Sequence, residues 1–223
     1  MTVGNFPLDE EGWQPDAESL NALEAEIPTL AVLRSFADEA CRQPWFTELG
    51  EPLAVSVKDM ARAYLDGLGY PDAEAAPILN WDDALDAALT LDINSSGWEA
   101  EEQLRAALVD AALTQVSEEG LGVLLAHLTA QLSETLHELA EEALYMADEL
   151  PDHVIDLAVG AGQQAAYGAA LVLAAGGAQD PDASEANADA TSEILSHPLM
   201  LKYRLFAAGR WPLTLTGQTL NIF

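Results

Sequence analysis

One run of apolar residues limits the folds open to this chain more than any other feature. Leu121, Leu125, Leu128, Leu132, Leu136, Leu139, Ala143, Met146 and Leu150 recur at a mean spacing of about 3.6 residues, the α-helical period. Ser117 stands ahead of the run as an N-cap, and Glu118 and Glu119 suit the positive end of the helix dipole. Pro151 sets the far limit, because the residue before a proline disfavours the α conformation. The expectation is one helix over Ser117–Leu150. A helix of that length with a single apolar stripe needs neighbours to cover the stripe, so the rest of the chain is expected to pack around it.

The opposite stripe of the same helix carries His127, Glu134, His137 and Glu141. Glu134 and His137 have the Glu-x-x-His spacing of carboxylate-bridged di-metal bundles. At about 100° per residue they point away from the leucines, whereas metal ligands must point into a bundle. The sequence holds no second Glu-x-x-His. A solvated face is therefore expected, with no metal site favoured there.

Other segments repeat the helical pattern. Pro28 can open a helix at its first position, with Leu30, Leu33, Ala37, Ala40 and Cys41 on one stripe and a stop before Pro44. Cys41 has Arg42 beside it, which favours a thiolate, but no pattern supplies a partner base. Its place on the stripe makes it a small apolar packer. Pro52–Leu68 presents Leu53, Val57, Met60, Tyr64 and Leu68, closed by Gly69; Tyr70–Asn80 reads as a turn-rich connection. Asn80 caps Trp81–Leu91, and Glu99–Val116 follows.

Between those last two helices lies Asp92-Ile93-Asn94-Ser95-Ser96-Gly97. It resembles the first half of an EF-hand calcium loop, with oxygen ligands Asp92, Asn94 and Ser96 at positions 1, 3 and 5 and glycine at 6. The match then breaks down. Position 8 is Glu99 where an apolar residue belongs, and position 12 is Gln103 where a bidentate Glu belongs. The competing assignment is a capping box, Ser96-Gly97-Trp98-Glu99. A second resemblance is to a Rossmann turn. Val154–Val159 has the composition of a strand, Gly160-Ala161-Gly162-Gln163-Gln164-Ala165 fits Gly-x-Gly-x-x-Gly/Ala, and Asp180 lies twenty residues on. No strand–helix alternation surrounds it. One Ala/Gly-rich helix from about Pro151 is the preferred reading, in which Gly160, Ala161, Gly168 and Ala169 admit close neighbours. A membrane span is disfavoured by Gln163, Gln164 and the lack of flanking Lys or Arg.

Charge separates the chain into parts. The net charge is −30, from 38 Asp and Glu against eight Lys and Arg. Residues 1–175 are expected to form a helical body, and 176–192 an acidic mobile loop. Residues 193–223, which carry Lys202, Arg204 and Arg210, should dock on that body as a basic, apolar C-terminal segment of a single domain. Within it a short helix is expected near Ser192–Leu201, with Tyr203–Ala207 as its continuation or a strand. Trp211–Thr216 and Thr219–Phe223 read as strands around Gly217-Gln218. The fold class is mainly α, a multi-helix bundle with a small C-terminal β-hairpin.

A charge of −30 repels phosphates and anionic membranes, which argues against nucleic-acid or membrane partners. One cysteine rules out an internal disulfide. Together with the absence of a basic, apolar leader, this suggests a cytoplasmic protein. Walker, Gly-x-Ser-x-Gly, paired-Cys and His-Glu-x-x-His motifs are missing from the sequence, so no catalytic residue and no cofactor are assigned. The function expected is a non-enzymatic protein-interaction module of inhibitor, immunity or chaperone type with a basic partner. The alternatives are a metal-dependent enzyme or calcium-binding protein, and then a nucleotide-binding enzyme. Salt adaptation also accounts for the acidity.

Overall fold

The computed structural model describes residues 28–89, 95–145, 152–176 and 191–223. Over these, the chain runs α1 (Pro28–Ala40), α2 (Val55–Gly67), β1 (Glu74–Pro77), α3 (Trp81–Leu89), α4 (Ser96–Ala112), α5 (Glu118–Leu144), α6 (Asp152–Gly176), α7 (191–196), α8 (Pro198–Ala207), β2 (Pro212–Thr216) and β3 (Thr219–Ile222). The fold is mainly α with a small mixed sheet. Local signals set several helix starts. Ser117 Oγ accepts from Gly120 N at 3.1 Å, and Asn80 Oδ1 accepts from Asp83 N at 2.9 Å. Each satisfies a first-turn donor that the helix itself cannot pair.

The leucine seam of α5 is buried as its period requires: Leu121, Leu125, Leu128, Leu132 and Leu136 all face inward. α5 is followed to Leu144, and the expected last turn, Met146–Leu150, lies outside the described residues. The seam meets α6, where a Cβ on Gly162 would sit 3.0 Å from Leu136 Cδ1. Farther along α6, a Cβ on Gly168 would sit 3.2 Å from Leu199 of α8. Here absent side chains let helices approach, and packing offsets the ~1 kcal/mol that glycine costs a helix. Gly160, expected to do the same, has nothing within 4 Å of its Cβ position.

α5 does not hold the centre that its pattern suggested: α6 packs against α1, α3, α4, α5 and α8, and α8 links two buried clusters. Met200, Tyr203 and Phe206 of α8 join one buried cluster with α1, α5 and α6, whereas Leu201 and Leu205 join a second with α2 and the sheet. Aromatic rings fill the first cluster around Trp45. Its ring centroid lies 5.7 Å from Tyr203 and 5.6 Å from Phe206, and its Nε1 donates to Ala40 O at 2.7 Å. The segment expected to dock on a finished body is therefore the wall between two cores. Its two-sided burial leaves no clean stripe, which is why helix and strand could not be told apart over Tyr203–Ala207.

The sheet has the order β1-β3-β2, with β1 parallel and β2 antiparallel to β3. Gly217, at φ +61°, opens the two-residue turn between Thr216 and Thr219, as a type II′ turn requires. Trp211 and Phe223 exchange both backbone hydrogen bonds at 2.7 and 2.9 Å. Phe223 then stacks edge-on against Trp81 at 4.5 Å.

Several expectations need correction. β1 lies in Tyr70–Asn80, the stretch read as turns. Glu74-Ala75-Ala76-Pro77 has no β-branched residue, and its pairing is imposed by β3 from the far end of the chain. The expected loop 176–192 is bounded by helix at Gly176 and again from 191. Ser95, not Ser96, caps α4, accepting from Trp98 N at 3.3 Å. Tyr70 Oη donates to Ser96 Oγ at 2.6 Å, and Leu215 packs on Gly97, so neighbours from outside the helix decide which serine caps. Val154–Val159 and Gly160–Ala165 lie within one continuous helix, α6. The strand–turn–helix that a dinucleotide site needs is absent there, and that resemblance is overturned. α6 is the described helix long and apolar enough to cross a membrane, but 61% of that window is buried inside the protein.

Candidate functional site

The chemistry-bearing side chains that come together are not the candidate site residues named from sequence. Glu101, on α4, is the one Asp or Glu among the described residues that is buried. It lies where α4 passes α2 and α8. Lys202 of α8 donates to both of its oxygens, at 2.7 Å to Oε1 and 2.9 Å to Oε2. Tyr64 Oη of α2 donates to Oε1, and Arg105, one turn along α4, approaches Oε2 at 3.3 Å. Arg105 also reaches Glu102 at 2.8 Å and lies over the Trp98 ring, 5.7 Å from its centroid.

Electrostatics follow from this packing. Burial pushes the Glu101 carboxyl up. The Lys202 charge and hydrogen bonds, with those of Tyr64 and the Arg105 charge, outweigh burial and hold the carboxyl below the usual range. Tyr64 moves the other way: burial first, then the neighbouring Glu101 charge, raises its hydroxyl well above the ordinary tyrosine value. The group at neutral pH is thus one carboxylate, two cations and a neutral phenol. Its acceptor is fully engaged, and a buried carboxylate so satisfied fixes helices to one another.

Beside this cluster a cavity of about 210 Å³ opens between α4, α6, α8 and the hairpin. Trp98, Leu157, Leu213 and Leu215 give it apolar walls, half-buried Lys202 lines it from α8, and exposed Asp156 and Gln164 line it from α6. Gly160 also faces it.

The residues singled out from sequence lie elsewhere. Asp92 and Asn94 fall outside the described residues, and Ser96 is the first residue of α4. Glu134 and His137 are exposed on the outer face of α5, where His137 Nε2 lies 3.3 Å from Glu141 Oε1. Among the described residues no three His, Cys, Asp or Glu side chains are grouped to hold a metal. Cys41 is partly buried against the first cluster. Two of the three tail cations reach residues before 193, and Arg204 donates to Leu195 O within the tail. Lys202 meets Glu101, whereas buried Arg210 donates to the carbonyl oxygens of Glu48, Glu51 and Pro52 and lies 3.8 Å from the Glu48 carboxylate. One sequence signal marks the cluster: Glu101 falls on the same helical stripe of α4 as Leu104 and Leu108. Its partners, 37 residues upstream and 101 downstream, carry no local signal. Compared with known proteins, the chain matches no family model, no curated protein and no solved structure.

Proposed function

We propose that this protein is a non-enzymatic interaction module that presents an acidic surface to a basic protein partner. The observation that carries the proposal is how the charges are used. Arg62, Arg105, Lys202, Arg204 and Arg210, five of the eight Lys and Arg, are engaged within the fold. Apart from Glu101, the described carboxylates reach solvent. Arg105, Lys202 and Arg210 are drawn at least partly out of solvent while the anions stay outward, so at a net charge of −30 the field around the protein is strongly negative and attracts positive surfaces. The same field opposes nucleic acid and anionic membrane. The outer face of α5 is the preferred contact. It carries exposed Glu134, Glu138, Glu141 and Glu142 along a helix of 27 residues, about 40 Å long. With Cys41 its single cysteine, the protein suits a reducing compartment, and we place the encounter in the cytoplasm.

Two charge-neutralised variants test this in a low-salt pull-down from the source cell. One carries Glu134, Glu138, Glu141 and Glu142 as glutamines, and the other Asp82, Asp83 and Asp86 as asparagines. The expected result is a discrete basic protein held by the wild type and by the α3 variant, and lost from the α5 variant. Equal loss from both variants, or nothing retained by the wild type, counts against the proposal.

A further inference from the structure

We infer that the groove between α5 and α6 is a docking site for one amphipathic helix of the basic partner, apolar over about three turns and carrying Lys or Arg at both ends. This deepens the acidic-surface reading above and rests on it for the sign of the partner's charge. Gly122, Ala126, Ala130 and Ser133 of α5 line one side of the groove, Gln163 and Tyr167 of α6 line the other, and its volume is about 600 Å³. The α5 residues recur three or four apart, so they make one trough along the helix. Thr129, in the same groove, donates its hydroxyl back to Leu125 O at 2.8 Å. Val123, 42% exposed, shares this face with Ala126. The distance between packed helices depends on the side chains at their contact, so walls this small let an incoming helix come close.

Gly122 is a separate observation. Glycine weakens a helix interior relative to alanine, and at Gly162 and Gly168 close neighbours within the fold explain it. Gly122 is exposed, and nothing lies within 4 Å of its Cβ position. The space it keeps opens outward, where only a body from outside the fold can use it. Charge then selects the occupant. No Asp, Glu, Lys or Arg lies among the described residues of the groove, on a chain of net charge −30. Along the same face, exposed Glu119 stands one turn before Gly122, and exposed Glu134 and Glu141 stand one turn beyond Ala130 and His137. The uncharged stretch from Gly122 to Ser133 is about 17 Å long, and the span from Glu119 to Glu141 about 33 Å. A helix laid along it meets a trough in the middle and carboxylates at each end, the helix-in-groove mode of recognition. A second copy of this chain would set its own carboxylates against these, so the occupant is a different protein with cations there.

Three labelled peptides of about 22 residues, long enough to reach from Glu119 to Glu141, test this by fluorescence anisotropy at low salt against the full chain. The first is helical, with Leu and Ala on one face of its middle three turns and Lys at both ends. The second scrambles that composition so that no face forms. The third keeps the face and replaces Lys by Glu. The first should bind with Kd below about 100 µM, the second at least about tenfold more weakly, and the third not at all. Gly122→Gln, Ala126→Gln and Ala130→Gln together fill the trough at exposed positions with side chains that favour helix, and should weaken the first peptide about tenfold. Ala106→Gln with Ala107→Gln, exposed on α4, should leave it unchanged. Equal binding of the first and second peptides overturns the groove assignment and leaves the acidic-surface reading standing; no binding of either overturns both. Binding of the third as tight as the first, or binding of the first that survives the filled trough in a folded variant, also overturns the assignment. So does a dimer of the wild type that the filled trough dissolves, since a second copy would then be the occupant. If the triple variant does not fold, the comparison of the three peptides on the wild type decides alone.

Discussion

Two helices each carry a carboxylate paired with a nitrogen base, and the two pairs behave as different objects. On α5, His137 and Glu141 lie 3.3 Å apart with 51% and 58% of their side chains exposed. On α4, Glu101 meets Lys202 at 2.7 Å with 7% and 15% exposed. Water competes for every bond of the first pair. The second pair has given up its water, so each bond must be supplied by the protein. The outer pair thus remains open to solvent, whereas the inner one holds α2, α4 and α8 in register. Spacing along a helix says only that two groups can meet; burial decides what the meeting does.

The strongest way to break this contrast is Lys202→Met. It leaves the Glu101 charge buried with Tyr64 and Arg105 as its remaining partners, and should cost about 3–5 kcal/mol in urea unfolding. The double change Glu101→Met with Lys202→Met should be milder than Lys202→Met alone, because no uncompensated charge remains. A double variant as unstable as the single one would show that shape, not charge, makes the inner pair matter.

Tyr64→Phe removes a hydrogen bond to a charged acceptor and should cost about 1.5–3 kcal/mol at neutral pH. The Tyr64 hydroxyl is raised above its ordinary value in the fold, so the folded state holds this proton more tightly than the unfolded chain does. Stability from Tyr64 is full below about pH 10 and is lost as pH rises beyond it. Unfolding followed from pH 8 to 11 should therefore show the wild type converging on Tyr64→Phe.

Glu101 works in the opposite direction. Its folded carboxyl is held below the value of 4.5 expected for a free glutamate. Its contribution is full above that pH and disappears as pH falls below it toward the lowered folded value. The stability gap between wild type and Glu101→Gln should shrink on acidification below about pH 4.5. A gap that does not change across this range would mean the carboxylate charge is not what stabilises the inner pair. The smallest effect belongs to the outer pair: Glu141→Gln should shift unfolding by no more than about 0.5 kcal/mol, at low or high salt.

The sequence made the helical skeleton legible because its signals are local. The leucine period of α5, the caps at Ser117 and Asn80, and Gly217 in its turn each act within a few residues. The same arithmetic put Glu134 and His137 on the solvent side of α5, where they are found. It failed at Ser96, whose hydroxyl is taken by Tyr70 from 26 residues away. It also failed at Gly160, where the surroundings of a helix glycine cannot be read from its neighbours in the chain.

The sequence by itself determined the mainly helical class, the direction of the α5 faces and the excess of negative charge, since periodicity, capping and composition need no long-range contact. Only the tertiary structure made α8 the wall between two cores, drew Glu74–Pro77 into a sheet with Thr219–Ile222, and buried Glu101 between Tyr64 and Lys202. Those outcomes depend on residues 145 and more positions apart meeting in space. Their free energy comes from excluding water between surfaces, and no local pattern along the chain records which surfaces those are.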